Sequence, residues 1–473
     1  MGLGAKPRFA LFFGNRGFFP GSLMASARQE VKAAVEAQGY ETLMLDADAT
    51  RFGAVETPAE GAIYARFLKE NEGKFDGIIL SLPNFGDETG AVAALQHAGV
   101  PILIQAYPDT MDRMEPALRR DSFCGKFSIM DVFCQTGVKF TALKPHTAAP
   151  DSAAFKANVD HFARVCSVTS AFKGLVVGAI GARTTAFKTV RIDELALQKH
   201  GITMETYDLS EVFCRVRALT DADGAVKEKA ATLKAYADFS RVPDESFSTI
   251  TRMGVVFDQI IEENNLDAVA IRCWVEMQRE MGISPCVLLS ELNNRGVVAA
   301  CEVDMGNAVA MHALAAASGA PATCLDWNNN YGDDEDKCIL FHCGPVPQDL
   351  MTGRGTVTNH AILDNAPGIN ASFGCNVGRI KPQDFSFSSM TTQEGKLKFY
   401  VGEGRFTPDP IPAVFFGCAG VAQIGGLQDV LRYIGYNGHR HHVGITPGSV
   451  AAPVREALGY YLGYDVAYPQ IGE

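Results

Sequence analysis

Three polar residues, Glu302, Asp326 and His342, each follow a short apolar run of the kind that forms a buried β-strand. In α/β proteins ligands bind beyond the carboxyl ends of the strands, so we expect these three side chains to lie close together. A carboxylate near a buried strand must be paired or must bind a cation, because removing an isolated charge from water is costly. The three residues therefore predict a site for a cation.

A group of histidines lies further along the chain. His439, His441 and His442 fall within four residues, although the whole chain has 10 histidines. Each of these acids and histidines also has an ordinary structural interpretation, as an ion-pair partner, a helix cap or a core histidine. Their combination favours chemistry, because two carboxylates and an imidazole form a hard donor set that suits Mn²⁺ or Mg²⁺, with Co²⁺ as a further option.

A metal site of this kind would suit a sugar substrate. A divalent ion can grip two adjacent sugar oxygens and polarise a carbonyl group. A carboxylate beside the ion can move a proton between neighbouring carbons. The donor set is therefore compatible with a reaction that shifts a carbonyl along a sugar chain.

The elements that must hold these residues alternate between strand-like and helix-like segments in the first two thirds of the chain. Near the N-terminus we predict strands and helices at 8–13, 22–38, 42–45, 60–70, 77–82, 90–97 and 101–105. The pattern restarts near residue 170, with strands at 175–180, 202–207, 268–273 and 297–301 and helices at 247–263 and 306–317. Such alternation predicts two α/β domains, each with a parallel sheet covered by helices.

The last third of the chain has a different character. Residues 351–416 are rich in Gly, Thr and Phe, and short alternating runs such as Lys396–Val401 favour antiparallel β structure, with a barrel as one form of it. We therefore predict an N-terminal α/β domain over residues 1–168, a central α/β domain over 169–318 and a C-terminal β-rich domain over 319–473.

Composition and charge exclude several classes of protein. The chain has 473 residues, a net charge of −12 and no dense Lys/Arg cluster, which argues against nucleic-acid binding. No apolar run approaches the ~20 residues that cross a bilayer, and the N-terminus lacks the pattern of a signal peptide. We predict a cytoplasmic protein without a membrane partner.

The 12 cysteines are scattered without a CxxC pair. Cys338 and Cys343 flank His342, and this arrangement could indicate a soft metal site. Reduced thiols buried in the core are the interpretation we favour, because free cysteine packs as a small hydrophobic residue.

The acids and histidines resemble those of the L-fucose/L-arabinose isomerase family, whose members are metal-dependent aldose–ketose isomerases. Glu302 and Asp326 have the 24-position separation of the metal-binding pair in the fucose branch. His441 and His442 resemble the late His-His pair, of which the second member binds the metal. His342, followed by Cys343 and Gly344, is similar to a histidine of the arabinose branch.

The resemblance implies a metal held by Glu302, Asp326 and His442, with Mn²⁺ as the expected ion. It implies that the two carboxylates interconvert an aldose and its ketose through a cis-enediol, without saying which one is the base. The family fold implies two Rossmann-like, doubly wound domains followed by a β-barrel-like domain. It also implies a homo-oligomer, a trimer or hexamer, with the active site near a subunit interface.

Further residues are candidate contacts to the sugar in such a site. In the central and C-terminal regions they are Trp274, Glu276, His342 and His441, and near the N-terminus they are Asn15, Arg16 and Asn84. The residues leave the identity of the sugar open between pentoses, deoxy-hexoses and hexoses with an acidic substituent.

Two other functions are each compatible with part of the sequence. A non-catalytic sugar-binding protein of the same fold would explain the α/β lobes, but it would not explain the two acids and the histidines. A nicotinamide-dependent oxidoreductase would need a GxGxxG loop after the first strand. The loop Gly14–Gly21 lacks that pattern and carries two phenylalanines that would keep a pyrophosphate away.

Overall fold

The computed structural model describes residues 6–471 and divides them into two compact units. One unit contains residues up to Ser170 together with Tyr460–Leu462, and the other contains Ala171–Gly459 and the remaining C-terminal residues. Within residues 6–471, none of the helices combines the length and apolarity that a membrane span requires.

The first unit is built on a four-stranded parallel sheet in the order β2-β1-β3-β4. Its strands are β1 (Phe9–Phe13), β2 (Thr42–Met44), β3 (Gly77–Leu82) and β4 (Ile102–Ala106). Its helices are α1 (Ser22–Glu36), α2 (Pro58–Glu70), α3 (Glu88–Leu95), α4 (Ser122–Thr136) and α5 (Ala153–Ala171). The central strands are apolar throughout because helices cover both faces: Ala10 and Phe12 point into one core cluster, and Phe9, Leu11 and Phe13 into the other.

The second unit contains another four-stranded parallel sheet, in the order β6-β5-β7-β8. Its strands are β5 (Val176–Ile180), β6 (Thr203–Tyr207), β7 (Ala268–Ile271) and β8 (Val298–Cys301). The helices of this region are α6 (Glu194–Lys199), α7 (Leu209–Ala218), α8 (Gly224–Tyr236), α9 (Asp244–Glu263), α10 (Glu276–Met281), α11 (Cys286–Asn294) and α12 (Met305–Ser318). The prediction of two parallel-sheet α/β regions is therefore confirmed.

The rest of the second unit forms a nine-stranded sheet in the order β11-β12-β15-β10-β9-β16-β13-β14-β17. Its strands are β9 (Thr323–Tyr331), β10 (Asp334–His342), β11 (Thr356–Thr358), β12 (Cys375–Arg379), β13 (Gln383–Gln393), β14 (Lys396–Thr407), β15 (Cys418–Gln423), β16 (His442–Pro447) and β17 (Asp465–Ala467). Two helices, α13 (Leu427–Tyr436) and α14 (Ala451–Arg455), accompany it.

The expected antiparallel pairing holds for most of this sheet, but not for all of it. Strand β12 pairs in parallel with β15, and β14 pairs in parallel with β17, so the sheet is mixed. Strand β14 also pairs with β15 over Arg405–Thr407. The barrel and the domain boundary between residues 318 and 319 stay predictions.

Helix α12 connects the two sheets of the second unit. It packs against β7 and β8 of the parallel sheet and against β13 and β16 of the mixed sheet. Its sequence consists largely of Ala, Met and Val, and most of its residues are fully buried. Because most of its residues are small or apolar, the helix can pack against both sheets at once. This packing keeps the end of β8 near the start of β16.

Candidate active site

The second unit brings Glu302, Asp326 and His442 together. Nε2 of His442 lies 3.1 Å from Oε2 of Glu302 and 3.4 Å from Oδ1 of Asp326. His442 is fully buried, whereas the two carboxylates are partly accessible to solvent. These are the three residues for which the sequence predicted a shared metal, and both carboxylates approach the same imidazole nitrogen.

Glu302 occupies a tight turn between β8 and α12. Glu302 and Val303 have φ angles of 60° and 57°, a left-handed conformation that is unusual for residues other than glycine, above all for a β-branched valine. Backbone strain of this kind tends to occur at functional sites, where the surrounding structure enforces it. Asp304 then caps α12 by accepting a hydrogen bond from the N–H of Asn307 at 2.9 Å.

Asp326 and His442 reach the site from neighbouring antiparallel strands. They are directly paired residues on β9 and β16. Asp326 does not follow a strand as predicted, because it lies inside β9. His342 is at the end of β10, but that strand belongs to the mixed sheet and not to a parallel sheet. Of the three residues, Glu302 alone follows a strand of a parallel sheet.

A buried charged network supports His442 from behind. Nδ1 of His442 lies 2.8 Å from Oδ2 of Asp304, and the other oxygen of Asp304 accepts a hydrogen bond from Arg440. Asp304 and Arg440 are 0% and 1% exposed. Neither residue was predicted from the sequence. Two features could have indicated them: Asp304 precedes a helix two positions after Glu302, and Arg440 lies within the histidine group.

The electrostatics of the site favour a positive charge between the carboxylates. Burial raises the pKa of Glu302, but contact with His442 and the charges of His442 and His342 bring that pKa below its ordinary value. Burial lowers the pKa of His442, yet the Cys324 sulfur and the carboxylates of Asp304 and Glu302 outweigh it and hold this pKa well above its ordinary value. The same negative charge would attract a divalent cation.

The donor atoms fit a metal ion. Nε2 of His442 and Oδ1 of Asp326 are buried in the described structure, and neither has a hydrogen-bond partner of good geometry. One donor atom each from Glu302, His441 and His442 also lies within 4.8 Å of the others. Oxygen and imidazole donors of this kind suit a hard or borderline divalent ion.

Trp274 and His441 border the cluster. The indole N–H of Trp274 donates a hydrogen bond to Oε1 of Glu302 at 3.0 Å. Nε2 of His441 lies 3.6 Å from Oδ1 of Asp326, and His441 is partly exposed. Phe187 packs edge-on against Trp274 and His441. The expectation that Trp274 and His441 adjoin the acids is consistent with this geometry, while their contact with a sugar stays a prediction.

His342 lies beside His442, and one donor atom each from these two residues and Cys324 lies within 4.8 Å of the others. The ring centroid of His342 is 5.8 Å from that of His442, and Nδ1 of His342 accepts a hydrogen bond from the N–H of Cys343 at 2.9 Å. Glu276 forms an ion pair with Arg272 at 2.5 Å and accepts a hydrogen bond from the N–H of Val275. Glu276 is thus engaged by its own local turn.

Asn15, Arg16 and Asn84 form a separate cluster in the first unit. Asn15 and Asn84 are hydrogen-bonded to each other, and the backbone N–H of Arg16 donates to Oδ1 of Asn84 at 3.2 Å. Arg16 also pairs with Glu88 and lies over the ring of Phe85. The three residues follow β1 and β3, at the carboxyl edge of that parallel sheet, where ligands of α/β proteins bind.

Known proteins with related sequences identify the class. The N-terminal domain of fucose/sulfoquinovose isomerases matches residues 10–173, and the C-terminal domain of L-fucose isomerase matches residues 340–469. With these two domains over more than half of its length, the chain is a sugar isomerase. It belongs to the L-fucose isomerase family.

Several bacterial relatives extend the match beyond the two domains. A sulfoquinovose isomerase of Alkalicoccus urumqiensis is 24% identical over 398 residues, which cover 82% of this chain and 85% of that protein. A sulfoquinovose isomerase of Priestia aryabhattai is 23% identical over 403 residues, which cover 84% and 87%. A third sulfoquinovose isomerase, from Clostridium sp. (strain MSTE9), is 25% identical over 287 residues, which cover 60% and 62%.

Proposed function

We propose that this sugar isomerase interconverts an aldose and its ketose through a cis-enediol, at a divalent cation held by Glu302, Asp326 and His442. The proposal is supported above all by the approach of both carboxylates to Nε2 of His442, at 3.1 Å and 3.4 Å. An unpaired buried imidazole nitrogen between two carboxylates is costly unless a proton or a metal ion satisfies all three groups.

The proposed ion is Mn²⁺, with Mg²⁺ or Co²⁺ as alternatives, because the donor set is mostly oxygen. When bound, the cation would polarise the sugar carbonyl and offset the negative charge that develops on the enediolate. When a cation displaces the proton from Nε2, the buried Asp304 carboxylate would keep the remaining proton of His442 on Nδ1 and leave the lone pair of Nε2 for the ion.

The two carboxylates are the proposed acid–base groups. One of them removes the proton from C2 of the open-chain sugar and returns it at C1, while the other carboxylate, or a water molecule, supports the transfer of the hydroxyl proton from O2 to O1. Glu302 is oriented for this work by the indole N–H of Trp274, which donates to its Oε1 and leaves Oε2 facing the site. Asp326 presents Oδ1 without a hydrogen-bond partner. In each residue the oxygen that faces the site is thus next to both the proposed ion and the sugar.

The substrate that we propose first is sulfoquinovose, because the relatives that align with most of the chain carry that name. L-Fucose is the second candidate, because the C-terminal domain of L-fucose isomerase matches the region containing His342 and His442. Trp274, Glu276 and His441 are the proposed sugar contacts in the second unit, and Asn15, Arg16 and Asn84 are proposed to reach the active site of a neighbouring subunit of the oligomer. His342 is buried, and we do not propose it as a sugar contact. A cytoplasmic homo-oligomer, trimer or hexamer, remains our expectation.

The test is an NMR assay in D₂O with sulfoquinovose, L-fucose, L-arabinose and a set of other aldoses. Protein treated with a chelator and then supplied with Mn²⁺ should form ketose and incorporate solvent deuterium at C1. The chelated protein without added metal should do neither. Full turnover after exhaustive metal removal would refute the metal site, and turnover of L-fucose without turnover of sulfoquinovose would overturn the first choice of substrate.

A further inference from the structure

A cluster of buried sulfur atoms lies next to His342. Nδ1 of His342 is 3.2 Å from Sγ of Cys343, and Sγ of Cys286 is 3.4 Å from the same sulfur. One donor atom each from Cys301, His342 and Cys343 lies within 4.8 Å of the others. These cysteines are all reduced and buried.

The cluster is assembled from three separate elements. Cys301 is the last residue of β8, His342 ends β10 with Cys343 directly after it, and Cys286 begins α11. Elements from both sheets thus direct sulfur or imidazole donors to one place.

We propose that Cys301, His342 and Cys343 form a second cation site, with Cys286 as a further sulfur donor, and that this site takes a thiophilic divalent ion such as Zn²⁺. On binding, Nδ1 of His342 would exchange the hydrogen bond that it accepts from the N–H of Cys343 for a bond to the ion. A tetrahedral ion with metal–sulfur bonds of about 2.3 Å holds its ligand atoms roughly 3.6–3.8 Å apart, and the cluster needs small side-chain shifts to reach that spacing.

Charge balance favours an ion in this place. Two thiolates, Cys301 and Cys343, with a neutral His342 and a divalent cation have no net charge, which a buried environment tolerates. Thiolate ligands select zinc-like ions over Mn²⁺ or Mg²⁺, which prefer oxygen. The proposed site therefore differs in ion preference from the site of Glu302, Asp326 and His442.

In the sequence, the cysteines that flank His342 are Cys338 and Cys343. Cys338 lies on the same strand as His342 but four residues earlier, a distance of roughly 13 Å along an extended chain. In the described part of the chain, Cys338 belongs to none of the ligand groups, and Cys301, which is 41 positions from His342, takes its place.

Cd²⁺ is the probe for this site, because its bonds to thiolate absorb in the ultraviolet. The full chain, reduced and kept free of oxygen, is first saturated with Mn²⁺ so that the oxygen-rich site is filled. Titration with Cd²⁺ should then give thiolate charge-transfer absorption that saturates at a single equivalent.

Substitutions locate the ion. Removing a group that only hydrogen-bonds to a metal ligand weakens metal binding by about 10–100-fold. Cys301→Ser and Cys343→Ser each remove a direct ligand, so each should weaken Cd²⁺ binding by more than about 100-fold. Cys338→Ser is the matched control, a buried thiol on the same strand, and Glu302→Gln tests the neighbouring site. Both of these variants should keep the absorption.

Three results would overturn the proposal. They are the absence of thiolate absorption, an equal loss in Cys338→Ser and Cys343→Ser, or loss in Glu302→Gln, which would place Cd²⁺ among the catalytic acids. Should a cysteine variant fail to fold, X-ray absorption of the Cd²⁺-loaded wild-type protein decides the matter. Sulfur neighbours in its first coordination shell would support the site, and a shell of oxygen alone would refute it.

Discussion

Nδ1 of His442 lies 2.8 Å from Oδ2 of Asp304, on the side of the imidazole ring away from Glu302 and Asp326. Both residues of this contact are fully buried, and Arg440 neutralises the second oxygen of Asp304. The contact fixes which ring nitrogen carries the proton, and the other nitrogen is thereby available as a donor to a cation.

Asp304→Asn should therefore weaken the binding of Mn²⁺ by about 10–100-fold, the usual cost of losing a partner that orients a metal-binding histidine. It should also lower stability by up to about 3–5 kcal/mol, because Arg440 would be left as an unpaired buried charge. Metal titration and thermal unfolding measure the two effects. Asp333→Asn, at an exposed turn, is the control, and unchanged Mn²⁺ affinity in Asp304→Asn would count against the orienting role.

Glu302→Gln should fold normally and lose activity by about 10²–10⁴-fold, the range of a lost general acid or base. A parallel measurement on Asp326→Asn distinguishes the two carboxylates. The base is the residue whose amide variant still binds Mn²⁺ but no longer exchanges the C2 proton of the sugar with solvent. Glu263→Gln, which alters an exposed ion pair with Arg215, is the control. Wild-type turnover in Glu302→Gln would remove that residue from the mechanism.

Trp274→Phe removes the N–H donor to Glu302 and retains an aromatic ring. A hydrogen bond to a charged group contributes about 1.5–3 kcal/mol, so kcat/KM should fall by roughly 10-fold or more. In the double variant with Glu302→Gln the two losses should not add, because Trp274 acts through that carboxylate. Trp327→Phe removes a comparable donor to Tyr400 and should mainly lower thermal stability. Fully additive losses would contradict the coupling.

Lys126 offers a test of pH dependence in the first unit. Burial lowers the pKa of Lys126 to about 8, and its ammonium group donates to the carbonyl oxygen of His146 at 2.9 Å. In the unfolded chain the same ammonium group keeps its proton up to a pKa near 10.4. Below pH 8 the buried charge of Lys126 therefore lowers the free energy of unfolding. This loss of stability disappears as the pH rises from about 8 to 10, because the folded protein releases the proton first.

Lys126→Met should therefore raise the thermal midpoint at pH 7, and this gain should shrink at pH 10. The penalty removed is about 3 kcal/mol, and the lost hydrogen bond offsets about 1 kcal/mol of it. Lys69→Met, an exposed change in the same unit, should alter the midpoint little at either pH. A gain that is constant with pH would show that the proton of Lys126 is not responsible.

The sequence by itself determined the parallel-sheet regions and most of their elements. Strand β3 begins and ends at the predicted residues, and the predicted helix at 306–317 differs from α12 by one residue at each end. Apolar runs and helical periodicity are local properties, so they can be read without knowing the fold. All eight strands of the two parallel sheets were predicted, whereas the helices α4 to α8, α10 and α11 were not. In α11 even the polar residues Ser290, Glu291 and Asn293 are buried, so the helix has no solvated face that would reveal its period.

The acids and the histidine group were also evident from the sequence, through residue type and spacing. What the tertiary structure decided was their arrangement: Asp326 comes from the middle of an antiparallel strand, paired with His442, and not from the end of a parallel strand. The tertiary structure also placed Asp304 against Nδ1 of His442, and it placed Cys301, not Cys338, beside His342. Contacts between residues about 40 to 140 positions apart depend on strand register and on helix α12, which no local pattern in the sequence specifies.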